Sequence, residues 1–204
     1  MMKLYYSPGA CSLSPHIVLH EAGLHFETEK VNLGAQKTET GADYNAINPK
    51  GYVPALEMSN GQLLTESAAI VQYIADLVPE KKLAPPAGTL ERYRLLEWLN
   101  YIATEIHKGF SPLFNPKTPE ETRSAARERL TTRIGLVAES LAGKDYLLGK
   151  TFSVADAYLF TILRWSPLLH FDLSPWPVLK TYMERVAARP AVMAAMKEEG
   201  LTGN

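Results

Sequence analysis

The chain has 204 residues, 46% of them hydrophobic and 21% charged, and its 21 Lys and Arg nearly balance its 22 Asp and Glu. That composition suits a water-soluble globular protein of one large or two small domains. It lacks the basic stripe of a nucleic-acid binder and any apolar run long enough to cross a bilayer. A single cysteine excludes internal disulfides and fits a reducing compartment, so a cytoplasmic protein without a signal peptide is expected.

In chain order, Lys3-Leu4-Tyr5-Tyr6 reads as a strand and Pro15 to Ala22 as a helix with proline in its tolerant first turn. Gly23 ends that helix, and Phe26 to Val31 reads as a second strand. A strand, a helix and a strand in so short a stretch predict a βαβ unit with a parallel pair. Pro54 to Met58, a turn at Ser59-Asn60-Gly61, and Gln62-Leu63-Leu64 predict a hairpin. A helix over Thr65 to Leu77 follows, completing a small mixed sheet with helices, βαβ then ββα.

The predicted division is a first domain over 1–80, a linker over 81–88 holding Lys81-Lys82 and Pro85-Pro86, and an all-helical domain over 89–204. Helical segments are expected near 89–113, 119–142, 153–169, 176–188 and 190–199. Val154 to Leu163 is apolar nearly all round, the pattern of a central buried helix. Its start, Ser153-Val154-Ala155-Asp156, resembles a capping box with Asp in place of the usual Glu or Gln, so Asp156 is expected to be structural rather than catalytic.

Cys11 stands between the first strand and the first helix, where unpaired amides and the helix dipole favour a thiolate. Position 14 is Ser14, so no neighbouring sulfur can close a local disulfide, and any sulfur partner comes from outside the fold. A small buried hydrophobe is the plain alternative. Further along, Gly51-Tyr52-Val53-Pro54-Ala55 puts proline at the start of a strand. A cis bond there would turn the Val53 N–H and C=O toward a peptide-like ligand; an ordinary edge-strand proline is the alternative, and the sequence leaves both open.

Thr65-Glu66-Ser67-Ala68 begins a helix. Ser67 and the first-turn amides suit a carboxylate and Glu66 an ammonium, so together they match the two charges of an α-amino acid end. A plain cap accounts for either residue alone. Asn100, Thr104, His107 and Ser111 share one helix face opposite Leu96, Leu99, Ala103, Ile106 and Phe110. The uncharged hydrogen-bonding face reads as a cleft wall rather than a solvated surface. His16 and His20, one turn apart, have chelating geometry, but the sequence reveals no third ligand, so a structural role and no metal are expected. His25 and His170 carry no motif.

These motifs together resemble the bacterial beta class of glutathione S-transferases. The likeness spans essentially the whole chain: Tyr5 to Leu13, Asn48 to Pro54, Leu64 to Ser67, Glu97 to Tyr101, Glu105 to Phe110 and Phe152 to Phe160. It implies a thioredoxin-like N-terminal domain followed by an all-helical C-terminal domain, an α/β plus all-α fold, and a homodimer. Glutathione would be a co-substrate rather than a cofactor, with its sulfur near Cys11 and Ser12. Val53, before a cis Pro54, would pair with its cysteinyl backbone, while Glu66 and Ser67 hold its γ-glutamyl end. Asn100, Thr104 and His107 would approach from the helical domain, with His107 nearest the sulfur. Family members commonly carry lysine where this chain has Gln36; either Lys37 takes over the glycyl carboxylate or a neutral donor holds it.

The implied reaction is attack of glutathione thiolate on a small apolar electrophile, in the service of detoxification. Cys11, Ser12 and His107 would be the catalytic residues, and Phe110, Leu113 and Trp165 would line the electrophile pocket. Tyr5 and Tyr6 are expected in the core. Two rival readings are a monothiol reductase of disulfides or peroxides acting through Cys11, and a non-enzymatic ligand-binding scaffold. No nucleic-acid or membrane partner is expected.

Overall fold

A computed structural model describes residues 1–202. The chain divides into two compact units, Met1–Ala84 together with the segment from Ala187 onward, and Pro85–Val186. The first break lies between Ala84 and Pro85. The terminal helix, however, belongs to the first unit and not to the helical half in which the sequence pattern had placed it.

In unit 1, strand β1 (Met2–Tyr6) occupies the middle of a five-stranded sheet, in which β3 (Lys37–Thr38) and β2 (Phe26–Asn32) lie to one side of it and β4 (Ala55–Glu57) and β5 (Leu63–Thr65) to the other. Helix α1 (Leu13–Ala22) is the crossover to β2 (Phe26–Asn32), which runs parallel to β1 from Met2↔Phe26 to Tyr6↔Lys30. Nearly all of α1 is buried, consistent with its apolar sequence, and Gly23 ends it at φ +68°. Strand β3 (Lys37–Thr38) and helix α2 (Tyr44–Ile47) are too short to leave a periodic signal and were not anticipated. The predicted hairpin is present as β4 (Ala55–Glu57) and β5 (Leu63–Thr65), with Gly61 at φ +78° in its turn. Helix α3 (Ser67–Leu77) starts two residues later than predicted, because Thr65 still pairs with Ala55 in the sheet.

Helix α10 (Pro190–Glu198) docks on α1 through polar contacts that hydrophobic periodicity cannot reveal. Arg189 bonds Glu21 through two nitrogens, at 2.6 and 2.9 Å. The buried His16 lies between Glu198 (Nε2 to Oε2, 2.8 Å) and Glu199 (Nδ1 to Oε1, 2.9 Å). Glu198 also reaches His20 Nε2 at 3.1 Å, so a third group does stand beside the two histidines, supplied by a distant helix.

Unit 2 is helical. Its first helix runs as α4 (Leu90–Tyr101), a wider π-helical stretch over Ile102–His107, and α5 (Lys108–Phe114). Then come α6 (Glu120–Ser140), α7 (Val154–Leu163), α8 (Trp165–Leu168) and α9 (Pro177–Ala187). Gly109 lets α5 and α6 approach closely, since a Cβ there would stand 2.8 Å from the Leu130 side chain. Among the described residues no helix is long and apolar enough to cross a membrane.

Every residue of α7 is buried, as its sequence predicts, and Asp156 is the group that lets it be so. Its carboxylate accepts from Ser153 N at 2.9 Å, Ser153 Oγ at 2.8 Å, Leu147 N at 2.9 Å and Tyr182 OH at 3.1 Å. It therefore caps α7, fixes the preceding loop and ties on α9. Burial pushes its carboxyl above the usual range, although these hydrogen bonds pull the other way. Asp156→Ala strands the Leu147 and Ser153 N–H groups in the interior, each costing about 1–3 kcal/mol, while the Tyr182 hydroxyl keeps only its contact to the Asp156 main-chain carbonyl. With the lost cap, a destabilisation of about 3 kcal/mol is expected in equilibrium urea unfolding; an unchanged midpoint would contradict this role.

Candidate active site

The turn from β1 to α1 presents the lone sulfur. Ala10 N donates to Ser7 O at 3.0 Å, and Gly9, at φ +72°, donates its N–H to Glu199 Oε2 at 2.8 Å. The half-buried Cys11 donates from Sγ to the Val53 carbonyl at 3.2 Å. Its own carbonyl accepts from Ser14 N at 3.1 Å, Ser14 Oγ at 2.8 Å and Ser67 Oγ at 3.5 Å. The sulfur thus lies at the N-terminal end of α1, beside Val53.

Ser12 has a different place from the one expected. It is fully buried, and its hydroxyl donates to Ser7 O at 3.2 Å while accepting from Ser7 N at 3.1 Å. Both uses close the turn on itself, so the hydroxyl holds the loop rather than a substrate sulfur. Tyr5 and Tyr44 are core residues, as the sequence suggested for Tyr5. Burial and the hydrogen bond to Glu57 push the Tyr5 phenol far above its ordinary value.

The Val53–Pro54 bond is cis, and both residues are buried. Asn48 Nδ2 and Tyr44 OH fix the preceding carbonyl, Tyr52 O, at 2.7 and 3.1 Å. Gln36 does not serve as a carboxylate donor. Its Nε2 gives its two hydrogens to Leu33 O (2.7 Å) and Gly51 O (3.0 Å), which leaves only an acceptor oxygen. Gly51 must be glycine: it has φ +70°, and a Cβ would lie 3.2 and 3.3 Å from the Asn45 and Gln36 side-chain oxygens. Lys37, in β3, is exposed and is the neighbouring cation.

Glu66 sits at φ +72°, a conformation that costs a side-chain-bearing residue of order 1–3 kcal/mol and that clusters at functional positions. Its exposed carboxylate meets Lys50 Nζ and Tyr52 OH, each at 2.8 Å, and Lys50 also reaches Thr65 Oγ1 at 2.9 Å. The hydrogen bond to Glu66 raises both the Lys50 ammonium and the Tyr52 phenol. Ser67 is buried at the first turn of α3, where Ala69 and Ile70 make the first helical bonds back to Glu66 O. Lys50 and Tyr52 were missed in the sequence, although both lie within the motif around Val53.

In unit 2, Asn100 and Thr104 are exposed and His107 half-buried. The helix passes through a π-helical stretch here, and its buried set is Leu95, Leu99, Ile102, Ile106 and Phe110, with Leu96 and Ala103 of the expected stripe only half-buried. His107 Nδ1 lies 2.7 Å from Tyr158 OH, and its ring packs edge-on to Trp165 at 5.0 Å. Tyr158, a polar tip in a mostly apolar helix, was a readable but unused signal. Phe110 is fully buried between Trp165 and Phe171 and cannot line an open pocket. The exposed aromatic at this end is Phe114, packed on Trp165 at 5.0 Å. Leu113 and Trp165 keep only a sliver of surface.

A family model of the glutathione S-transferase N-terminal domain matches residues 9–77, and one of the C-terminal domain matches residues 101–190. Glutathione S-transferase GstA of Escherichia coli O157:H7 is 48% identical over 98% of this chain and 100% of its own length. Two solved structures are similar to the same degree: a sphingomonad glutathione S-transferase complexed with glutathione, and the bacterial beta class enzyme of Sphingomonas chungbukensis. Each is 48% identical with a TM-score of 0.94, covering 98% of this chain and 100% of the other. The chain belongs to the glutathione S-transferase family, in its bacterial beta class.

Because the Ser12 hydroxyl serves the loop, Ser12→Ala is expected to lower stability by about 1–3 kcal/mol in urea unfolding. The pH profile of Cys11 alkylation should stay where it is in the parent. A shifted profile with unchanged stability would restore Ser12 to the sulfur.

Proposed function

We propose that the protein conjugates glutathione, as thiolate, to small apolar electrophiles. The observation that carries this reading is the convergence in unit 1 of Cys11 Sγ on the Val53 carbonyl and of Ser67 Oγ on the Cys11 carbonyl, with Glu66 next in sequence. The relatives that share this fold are named glutathione S-transferases, which supports the same assignment.

In this reading the main chain of Val53 pairs with the cysteinyl backbone of glutathione. The N-terminus of α3 and the Ser67 hydroxyl take the γ-glutamyl carboxylate. Glu66 takes the ammonium, which competes with Lys50 for the same oxygen. Lys37 is the cation proposed for the glycyl carboxylate. Asn100, Thr104 and His107 are proposed contacts from the helical unit, with Tyr158 fixing the orientation of the His107 ring. Leu113, Trp165 and the exposed Phe114 are the proposed electrophile contacts. The sulfur forms the new C–S bond while the leaving group departs with the old bonding pair, or an epoxide ring opens, so the thiolate's stabilisation sets the rate.

Cys11 is not the conjugating nucleophile here. Being half-buried, it is reachable for a mixed disulfide with glutathione, a second activity beside conjugation. The protein is proposed to act as a cytoplasmic homodimer in detoxification.

Turnover of aryl halides, epoxides and peroxides with glutathione tests the reading; failure to bind immobilised glutathione or to consume any of them would overturn it. Cys11→Ser is expected to keep conjugation within about tenfold, roughly 1.4 kcal/mol of barrier, and to lose disulfide exchange. Ser67→Ala and Glu66→Gln should each raise KM for glutathione by about tenfold, the loss of one charge-assisted contact. Unchanged KM values would remove both from the site.

A further inference from the structure

We propose that His16, His20 and Glu198 form a binding site for a divalent transition metal of the zinc type, fastening α10 to α1 beside the Cys11 turn. One ligand atom from each lies within 4.8 Å of the others. The two histidines are one turn apart on α1, and Glu198 comes from the far end of the chain.

Protonation logic makes the cluster unusual. The Glu199 side chain is wholly buried and acceptor-only; one oxygen takes the Gly9 N–H and the other faces His16 Nδ1 at 2.9 Å. In the tautomer that carries its proton on Nδ1, the His16 ring donates to that carboxylate and turns the Nε2 lone pair toward Glu198. Yet Nε2 faces another carboxylate oxygen, Glu198 Oε2, at 2.8 Å, and His20 Nε2 faces the same oxygen at 3.1 Å. Something positive must lie between these three atoms. Protons can do so when His16 donates from both of its nitrogens and His20, whose ring is stacked on that of His16 with centroids 5.3 Å apart, donates from Nε2. One divalent cation satisfies all three with both rings neutral, and balances the two carboxylates.

The remaining features are those of a metal centre. Two imidazoles and a carboxylate are a common zinc donor set. The Glu199–His16 pair is the carboxylate–histidine support that orients such ligands. Tetrahedral ligands at the usual zinc distances stand about 3.3 Å apart, so the two Glu198–histidine separations, 2.8 and 3.1 Å, need open by only a few tenths of an ångström. Glu198 has room to withdraw, since its side chain is 49% exposed and that of His20 22%. His16, 1% exposed, is the fixed anchor, and Phe26 packs edge-on against both rings.

The test is titration of the metal-stripped full-length protein with Co²⁺, followed by displacement with Zn²⁺. The expected result is one saturable equivalent with the visible absorption of a low-coordinate cobalt centre, bleached by zinc, and a zinc-dependent rise in Tm. His20→Ala and Glu198→Gln, which leave the His16–Glu199 pair intact, should each weaken binding by at least about tenfold. Cys11→Ser should bind as the parent does. Absence of saturable uptake, uptake undiminished in both cluster variants while their circular dichroism matches the parent, or uptake lost in Cys11→Ser would each overturn the proposal.

Discussion

Everything placed around the sulfur depends on the main-chain turn between β1 and α1. That turn has no regular ladder of its own, so buried side chains must hold it. Ser12 closes it from within by bonding both polar groups of Ser7, and Glu199 grips it from outside through Gly9. Both groups are buried, where a lost partner is costly, so the position of Cys11 is well determined. The last helix is therefore part of the scaffold of the first unit, although it comes at the opposite end of the chain.

The same economy recurs at Asp156. A helix apolar on all sides can be buried only if its first amides find acceptors, and one carboxylate serves the cap, the preceding loop and α9. In both places a buried polar group joins segments distant in sequence, where apolar packing alone would leave their register loose. Each also explains a residue type that a hydrophobic pattern would call misplaced.

Much of the architecture was legible because its signals are local. The βαβ order, the Asn-Gly hairpin, the capping box and the break near Pro85 all follow from neighbouring residues. What escaped was non-local. Nothing in Ser12 reveals that its hydroxyl turns back to Ser7, nothing in Gln36 that two carbonyls occupy its amide, and nothing in Glu198 that it meets His16. The start of α3 was misplaced because Thr65 is claimed by the sheet, a partner the helical pattern does not contain. In the candidate site, Cys11, Val53 and Ser67 come together as their motifs suggested, while Phe110 goes to the core.

The helix that carries Phe110 and His107 is not uniform. The stretch Ile102–His107 is wound wider than its flanks, with Lys108 N bonding back to Ala103 O. An α-helix advances about 100° per residue, so a regular helix through the same sequence would present its later side chains in other directions. The loosened winding acts as a phase shifter: Asn100 faces outward just before it and Thr104 within it, while His107 meets Tyr158 at its end. A chain shortened by one residue there would gain a more regular helix and lose the alignment of both halves.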